Sequence, residues 1–496
     1  MRGHTAHRGP VAVWLALLGA NCVLATESEL AYVPDLGSYH FPTSSITDPE
    51  CAHQVDRALM WSYGFNQPEA RRSIELAVDA EPSCALCFAF KAYALGPFLN
   101  KPVMSENEAT QAHEAATQAA LLVSRRSAGI PAYSRRERGI VQAFVDRHEP
   151  GLSPEESVVA FYTAMCSLAA ELEDDANVWT WCGEGLMIVQ RFRGYKHVYY
   201  TDRFGTPSPE TIQATSAITN AIELSNSTQP LALHLWIHLT ESSPVDDSPI
   251  GARGAGRADA AADALEGMAP GSGHLQHMPG HTYSREGRWR DYAYANLGVD
   301  FTVGTHGAAD GAHSADELAR KHGMFAYGSA HNIYAGVHGA STDGQLSLAL
   351  FGASELRRMW SSGYTDSSTE VTVSGPNACA LGGGPGMDAG YNVALLTLAR
   401  FAQWEAILAA DEEDAYPQPA TSDCPLAAVF RYYARGLAFA GLRDFGSAEA
   451  SLRALEGLLP AVGTNKVTPY RGNDHDGAEV AVLVLRARLA LLGRDG

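Results

Sequence analysis

Tyr432–Pro460 reads YYARGLAFAGLRDFGSAEASLRALEGLLP, a stretch that two helices joined by a short turn accommodate. Tyr432, Gly436 and Phe439 fall at helical spacing before the turn. Phe445, Ala448, Leu452 and Leu455 follow it, and Pro460 closes the unit. Small residues let two helices approach closely, and proline ends the second because it cannot continue a helix. The pattern recurs near the other end of the chain, where Ala58, Trp61, Ala70, Ile74, Ala77 and Pro82 take the corresponding positions. Between them, Ala258, Ala262, Leu265 and Pro270 close one unit. Gly280, Tyr283, Gly287 and Trp289 belong to the next, and Gly344 and Ala349 mark another. A helix pair of this kind cannot cover its own apolar face and must stack on its neighbours.

A period of about 34 residues is that of the tetratricopeptide repeat, and long alternating strand patterns are missing. The predicted fold is therefore all-α, an α-solenoid of tetratricopeptide-like helix–turn–helix repeats over 51–496, preceded by an N-terminal extension, 26–50. Length alone would suggest three domains; a repeat array removes that need. Stretches rich in Gly and Pro around Ser242–Gly256 and Ser374–Gly386, and the acidic run Asp411–Asp414, are expected to be loops within the array.

The net charge of −20 argues against a nucleic-acid or anionic-membrane binder and would draw cations to the surface. Arg2 and Arg8, the apolar run Val11–Leu24 and the small-residue site at Val23-Leu24-Ala25 read as a cleaved secretory signal, 1–25. An uncleaved anchor is the rival reading, which the shortness of the run disfavours. No later segment is an apolar run of about eighteen residues, so no membrane span is expected. Without the signal the charge becomes −22, two arginines fewer than −20. Cys22 lies in the signal. Cys51, Cys84, Cys87, Cys166, Cys182, Cys379 and Cys424 remain, an odd set, so at least one stays free or ligates something. Asn226-Ser227-Thr228 is a glycosylation sequon if the chain passes through a eukaryotic secretory route. The compartment expected is the secretory pathway or the extracellular space.

Histidine carries the chemistry. His274, His277 and His281 stand in GHLQHMPGHTYSREG at offsets of three and four, which stack side chains on one helical stripe. LALHLWIHLTE repeats the pattern with His234, His238 and Glu241. AHNIYAGVH adds His331 and His338, with Tyr334 between them. Imidazole is the commonest metal-ligating side chain. With Gly280 at the small position of its repeat, the channel-lining positions fall on His274, His277, His281 and Arg285. With Ala349 fixing the other unit, they fall on His331, Tyr334 and His338. Repeat register and histidine spacing thus point to the same concave surface.

Three segments resemble a large, mostly bacterial family of tetratricopeptide-type proteins: AEPSCALCFAFKAYALGPFLN at Ala80–Asn100, HLWIHLTE at His234–Glu241, and GHLQHMPGHTYSREG at Gly273–Gly287. Asn296, Asp300, the Tyr327 to His331-Asn332 segment and ARFAQWEAIL at Ala399–Leu408 match as well, so the resemblance runs roughly from residue 50 to 490. No activity common to the family follows from it. It implies the fold and the site rather than a reaction. This chain departs from the family pattern at Gln67, where a histidine is usual, at Phe88-Ala89-Phe90 in place of Tyr-Trp-Gly, and at His338, where a small or apolar residue is usual.

His234, His238, His277, His281 and His331 are the expected metal ligands. His277, His281, Arg285 and Glu241 are the candidate catalytic groups. His274, His338, Tyr334, Cys84 and Cys87 stand behind them, because Pro279 could tilt His274 away from His281. Groove histidines that only hydrogen-bond to neighbouring helices are the alternative. Glu241 is read either as a ligand or as the group that fixes an imidazole tautomer. The zinc-protease HExxH is ruled out by Leu235, where that motif needs its glutamate base. Cys84 and Cys87 form CxxC at a helix start. A structural disulfide or packed thiols is favoured over a redox centre. Tyr283, Asp174-Asp175 and Trp179–Cys182 read as packing and capping elements. No phosphate loop, dinucleotide fingerprint or nucleophile elbow is present. An imidazole-rich set suits copper, zinc or iron over magnesium or calcium, with copper favoured. The expected function is a secreted metalloenzyme acting on a small-molecule or peptide substrate in the concave channel, by copper redox chemistry ahead of metal-assisted hydrolysis. A peptide- or protein-binding scaffold and a metal-binding protein without turnover are the alternatives.

Overall fold

A computed structural model describes residues 33–125, 133–194, 199–202, 206–243, 254–298, 311–361, 365–366, 371–372, 392–412, 425–462 and 474–492. The signal segment with Cys22, and Asp300, Cys379 and Cys424, lie outside the described residues, as do the expected loop at Ser374–Gly386 and most of that at Ser242–Gly256.

Helices dominate, and most pack chiefly on their neighbours in sequence. Pro49–Tyr63 pairs with Gln67–Ala80, Ala85–Leu95 with Glu106–Ser124, Arg135–Arg147 with Pro154–Glu171, and Ala176–Val189 with Pro209–Leu224. Pro230–Thr240, Asp259–Leu265, Gly273–His277, Pro279–Glu286 and Trp289–Leu297 form the middle of the array. Ser329–Thr342 then packs on Leu346–Ser361, and Pro425–Gly441 on Phe445–Leu458, before the closing helix Asp474–Leu492. The strands among the described residues are one antiparallel pair, Thr365–Asp366 with Val371–Thr372. The architecture is an all-α solenoid of helix–turn–helix units. No described helix is long and apolar enough to cross a membrane.

Local sequence explains where helices begin. Ser105, Ser134 and Ser153 each cap a helix whose third residue, Glu108, Glu137 or Glu156, reaches back to the cap backbone. Pro49, Pro154, Pro209 and Pro230 sit in first turns, where no intrahelical N–H is needed. Where helices meet, the small positions act as expected. A Cβ on Gly436 would lie 2.4 Å from Leu485, and one on Gly280 would lie 2.7 Å from Tyr292.

The core runs along the array instead of gathering at a centre. Phe41, Phe90, Phe144, Phe161 and Trp181 form one buried aromatic cluster through the second, third and fourth pairs. Phe41 belongs to the N-terminal extension, whose last part is stitched to the array. Tyr39 donates to Asn177 (2.6 Å), Thr43 donates to Glu137 (2.7 Å), and Asp35 accepts from the Gly271 amide (2.6 Å). Two disulfides, Cys84–Cys87 and Cys166–Cys182, lie within this part, and Cys51 is a buried free thiol.

The array also folds back on itself. Asn66 donates to the Phe325 carbonyl (2.9 Å), Glu69 accepts from the Phe325 amide (2.8 Å), and Asn100 donates to the Tyr327 hydroxyl (3.1 Å). The first helix pair therefore closes over the middle units. His234, His238 and His274 lie beneath that closure.

Candidate metal centre

Pro230–Thr240 is buried on every side, so His234 and His238, one turn apart, have no route to bulk water along their own helix. The His234 Nδ1 donates to the Tyr63 carbonyl (2.7 Å). Glu241 ends this helix and turns its carboxylate back over it. One oxygen accepts from His238 Nδ1 (3.1 Å), the other from His281 Nδ1 (2.5 Å). In the next stretch, Met278 keeps helical backbone angles (φ −56°, ψ −40°) across the break at Pro279. His277 and His281 therefore stay together, while His274 joins His234 and His238. The expected tilt at Pro279 is not seen: the division falls between His274 and His277, both of which precede the proline.

Two sets of three imidazoles result. His234, His238 and His274 form the first; His277, His281 and His331 form the second. Within each set the ligand atoms lie within 4.8 Å of one another. In the second set His277 Nε2 stands 2.9 Å from His281 Nε2 and 3.1 Å from His331 Nε2. Two nitrogens about 2.0 Å from one tetrahedral ion would stand about 3.3 Å apart. His277 Nδ1 donates to Asn296 Oδ1 (2.6 Å), and the amide is fixed by Asn296 Nδ2 donating to the Tyr292 carbonyl (2.8 Å). His234, His238, His277 and His281 thus each have Nδ1 held by an oxygen acceptor. Neutral imidazoles so held present the Nε2 lone pair, the arrangement found behind metal-ligating histidines. Two such lone pairs 2.9 Å apart need a proton or a cation between them.

In the first set, the Nε2 atoms of His234, His238 and His274 are buried and have no hydrogen-bond partner. Phe65 covers them, its ring centroid 4.5, 5.9 and 5.1 Å from theirs. Phe65 has φ 56°, a left-handed conformation that costs a bulky residue about 1–3 kcal/mol. It holds the position that glycine usually takes after a helix, fixed by the bond from the Asn66 amide to the Trp61 carbonyl (2.9 Å). Tyr327 meets His274 edge-on at 5.0 Å.

Burial, followed by the neighbouring histidines, pushes His234, His274 and His277 well below the usual imidazole range. His281 goes the other way: burial opposes its charge, but the Glu241 carboxylate outweighs it. Burial likewise works against the charge of Glu241, and His281 and His238 more than offset it, holding the carboxyl well below its usual range. An unfolded chain takes up protons on histidine near pH 6.5, roughly, where folded His234, His274 and His277 refuse them. Stability of the metal-free protein should therefore fall as pH drops through this window. His281, stabilising below that pH and less so above its own raised value, offsets only part of this. Thermal unfolding of chelator-treated protein between about pH 8 and pH 5 tests the sign, and a melting temperature that rises on acidification contradicts it.

Other expected residues stand outside the two sets. Arg285 is exposed and reaches the centre only through its field, which opposes a charge on His281. Tyr334 is 45 % exposed. His338 packs edge-on against Trp289 and Tyr292, 5.6 and 6.0 Å between centroids. Cys84 and Cys87 are bonded to each other, so neither offers the thiolate that metal ligation requires. Glu241 orients two rings. The sequence reading missed Phe65, whose role rests on a contact across some 170 residues, and it gave Asn296 no task although its motif match had marked it.

No family model matches the chain, and no curated protein does. Among solved structures, the crystal structure of yeast Tom70 aligns over 89 % of this chain and 89 % of its own, at 10 % identity and a TM-score of 0.25.

Proposed function

We propose that this chain is a secreted metalloenzyme whose histidine centre binds a transition metal, copper ahead of zinc or iron, and acts on a small molecule by redox chemistry. We also propose that it belongs with the proteins sharing the HMP stretch. The supporting observation is the trio of buried, unpartnered Nε2 atoms on His234, His238 and His274. Native proteins satisfy nearly all buried polar groups, and an apolar roof over three unpartnered Nε2 atoms, two of them on rings whose Nδ1 already donates, leaves a cation as the fitting occupant. The donors are imidazoles without thiolate, which suits copper, zinc or iron and not magnesium or calcium. The disulfides agree with an oxidising compartment.

When bound, the metal would supply one-electron redox or Lewis-acid chemistry. The chain's own contribution is different. Tyr63, Asn296 and Glu241 set the tautomers, Phe65 excludes water from the set of His234, His238 and His274, and Glu241 holds a proton on His281 Nδ1 at the face that reaches solvent. A binding scaffold would use the same histidines as hydrogen-bonding groups, and a carrier would hold metal without turnover.

The test is elemental analysis of the protein purified through its secretory route, with a screen of redox and hydrolytic reporters on copper-, zinc- and iron-loaded samples. The expected result is retained copper and oxidase activity that falls by orders of magnitude in His238→Gln, because an amide neither ligates comparably nor titrates near neutrality. Metal retained without any turnover would favour the carrier. No metal retained, with a peptide captured equally by native protein and His238→Gln, would replace the reading by the scaffold.

A further inference from the structure

The two sets of histidines share one spacing of ring centroids. In the first, centroid distances are 4.9 Å for His234–His238, 5.1 Å for His234–His274 and 6.5 Å for His238–His274. In the second they are 4.8 Å for His277–His281, 4.7 Å for His277–His331 and 6.4 Å for His281–His331. Each frame takes two rings one turn apart from one helical stretch and a third from another. Six nitrogens exceed the shell of one tetrahedral ion, which takes four ligands, about 2.0 Å away. The rings nearest across the divide, His238 with His281 and His274 with His277, are 5.7 and 5.8 Å apart. Glu241 ties the frames together by accepting from one ring of each.

Resting on the metal-centre reading, we propose that the chain binds two transition-metal ions side by side, one per frame, of the same kind and unequal accessibility. Three imidazoles at matching ring spacing in each frame favour the same kind of ion twice. The inner frame is sealed: His234, His238 and His274 are 0, 8 and 6 % exposed beneath Phe65. The outer frame opens at His331, which is exposed, and at His281, which is half-buried. The outer ion would therefore be the one that meets substrate and exchanges with solvent, while the inner ion is held.

The experiment loads the full-length native protein with copper(II), removes excess by gel filtration, and counts metal per chain. It is repeated for His234→Ala and His331→Ala, each checked for native helical circular dichroism, with His234→Gln and His331→Gln as substitutes if either fails to fold. The expected counts are two for the native chain and one for each variant. A chelator should strip the single ion of His234→Ala at least tenfold faster than that of His331→Ala. The native copper(II) paramagnetic signal should be broadened or weakened relative to the sum of the two variants, because adjacent ions couple. A native count of one would overturn the two-ion proposal and leave the metal centre standing, whereas a count of zero would overturn both. Equal stripping rates would overturn the inner and outer assignment, and a native signal equal to the sum would overturn adjacency.

Discussion

Replacing His238 and His281 together by alanine should abolish metal retention while leaving the helical spectrum unchanged. Each belongs to a different set, so the double change leaves two imidazoles in each. A structural four-ligand zinc site binds with about 10–16 kcal/mol, so one ligand carries roughly 2.5–4 kcal/mol. At about 1.4 kcal/mol per tenfold change, each set should lose about two to three orders of magnitude in affinity. The fold should persist because stability in a repeat array is spread over many interfaces. Glu241 loses both donors in this variant, but 26 % of its side chain is exposed and water can replace them. Its carboxyl should then move up from its depressed value. Competition titration against a chromophoric chelator measures the loss, and a double variant with native affinity would show that the ion, if bound, sits elsewhere.

The fold was legible because its determinants are local and repeated. Small residues such as Gly280 and Gly436 sit where helices nearly touch, and proline marks unit ends, so one stretch near the C-terminus could be aligned with others far away. The histidines were legible for the same reason: a spacing of three or four residues on a helix is a statement about one face. The division into two sets was not. It depends on which ring of one helix meets which ring of another, and His274 keeps different company from His277, only three residues away on the same helical stretch. Nor could the roof be read. Phe65 reaches the site because the first helix pair folds back to Phe325 and Tyr327, a tertiary closure with no local signature. Arg285 and Tyr334 show the limit of register arguments. Both stand exposed at positions the register assigns to the lining, and neither joins a histidine set.

Glu241→Gln should cost about 10–100-fold in metal affinity at one set, the usual penalty for losing an orienting group behind a ligand, and less at the other. The carboxylate accepts from two rings at once, His238 Nδ1 and His281 Nδ1. Glutamine keeps one acceptor oxygen, but its amide nitrogen must face the second ring. That ring is then driven to accept at Nδ1 and carry its proton on Nε2, the tautomer that cannot ligate. Glu241→Ala frees both rings and should weaken both sets alike. The pH dependence separates this from simple damage. The carboxylate is what raises His281, so removing its charge weakens proton competition there, and the affinity deficit should shrink as pH falls from about 8 toward 6. Affinities of the native chain and both variants at those two pH values, with imidazole nitrogen shifts to report the tautomers, decide the matter. A glutamine variant that binds both ions as the native protein does would remove Glu241 from the positioning role, and with it the reason for treating the two sets as one device.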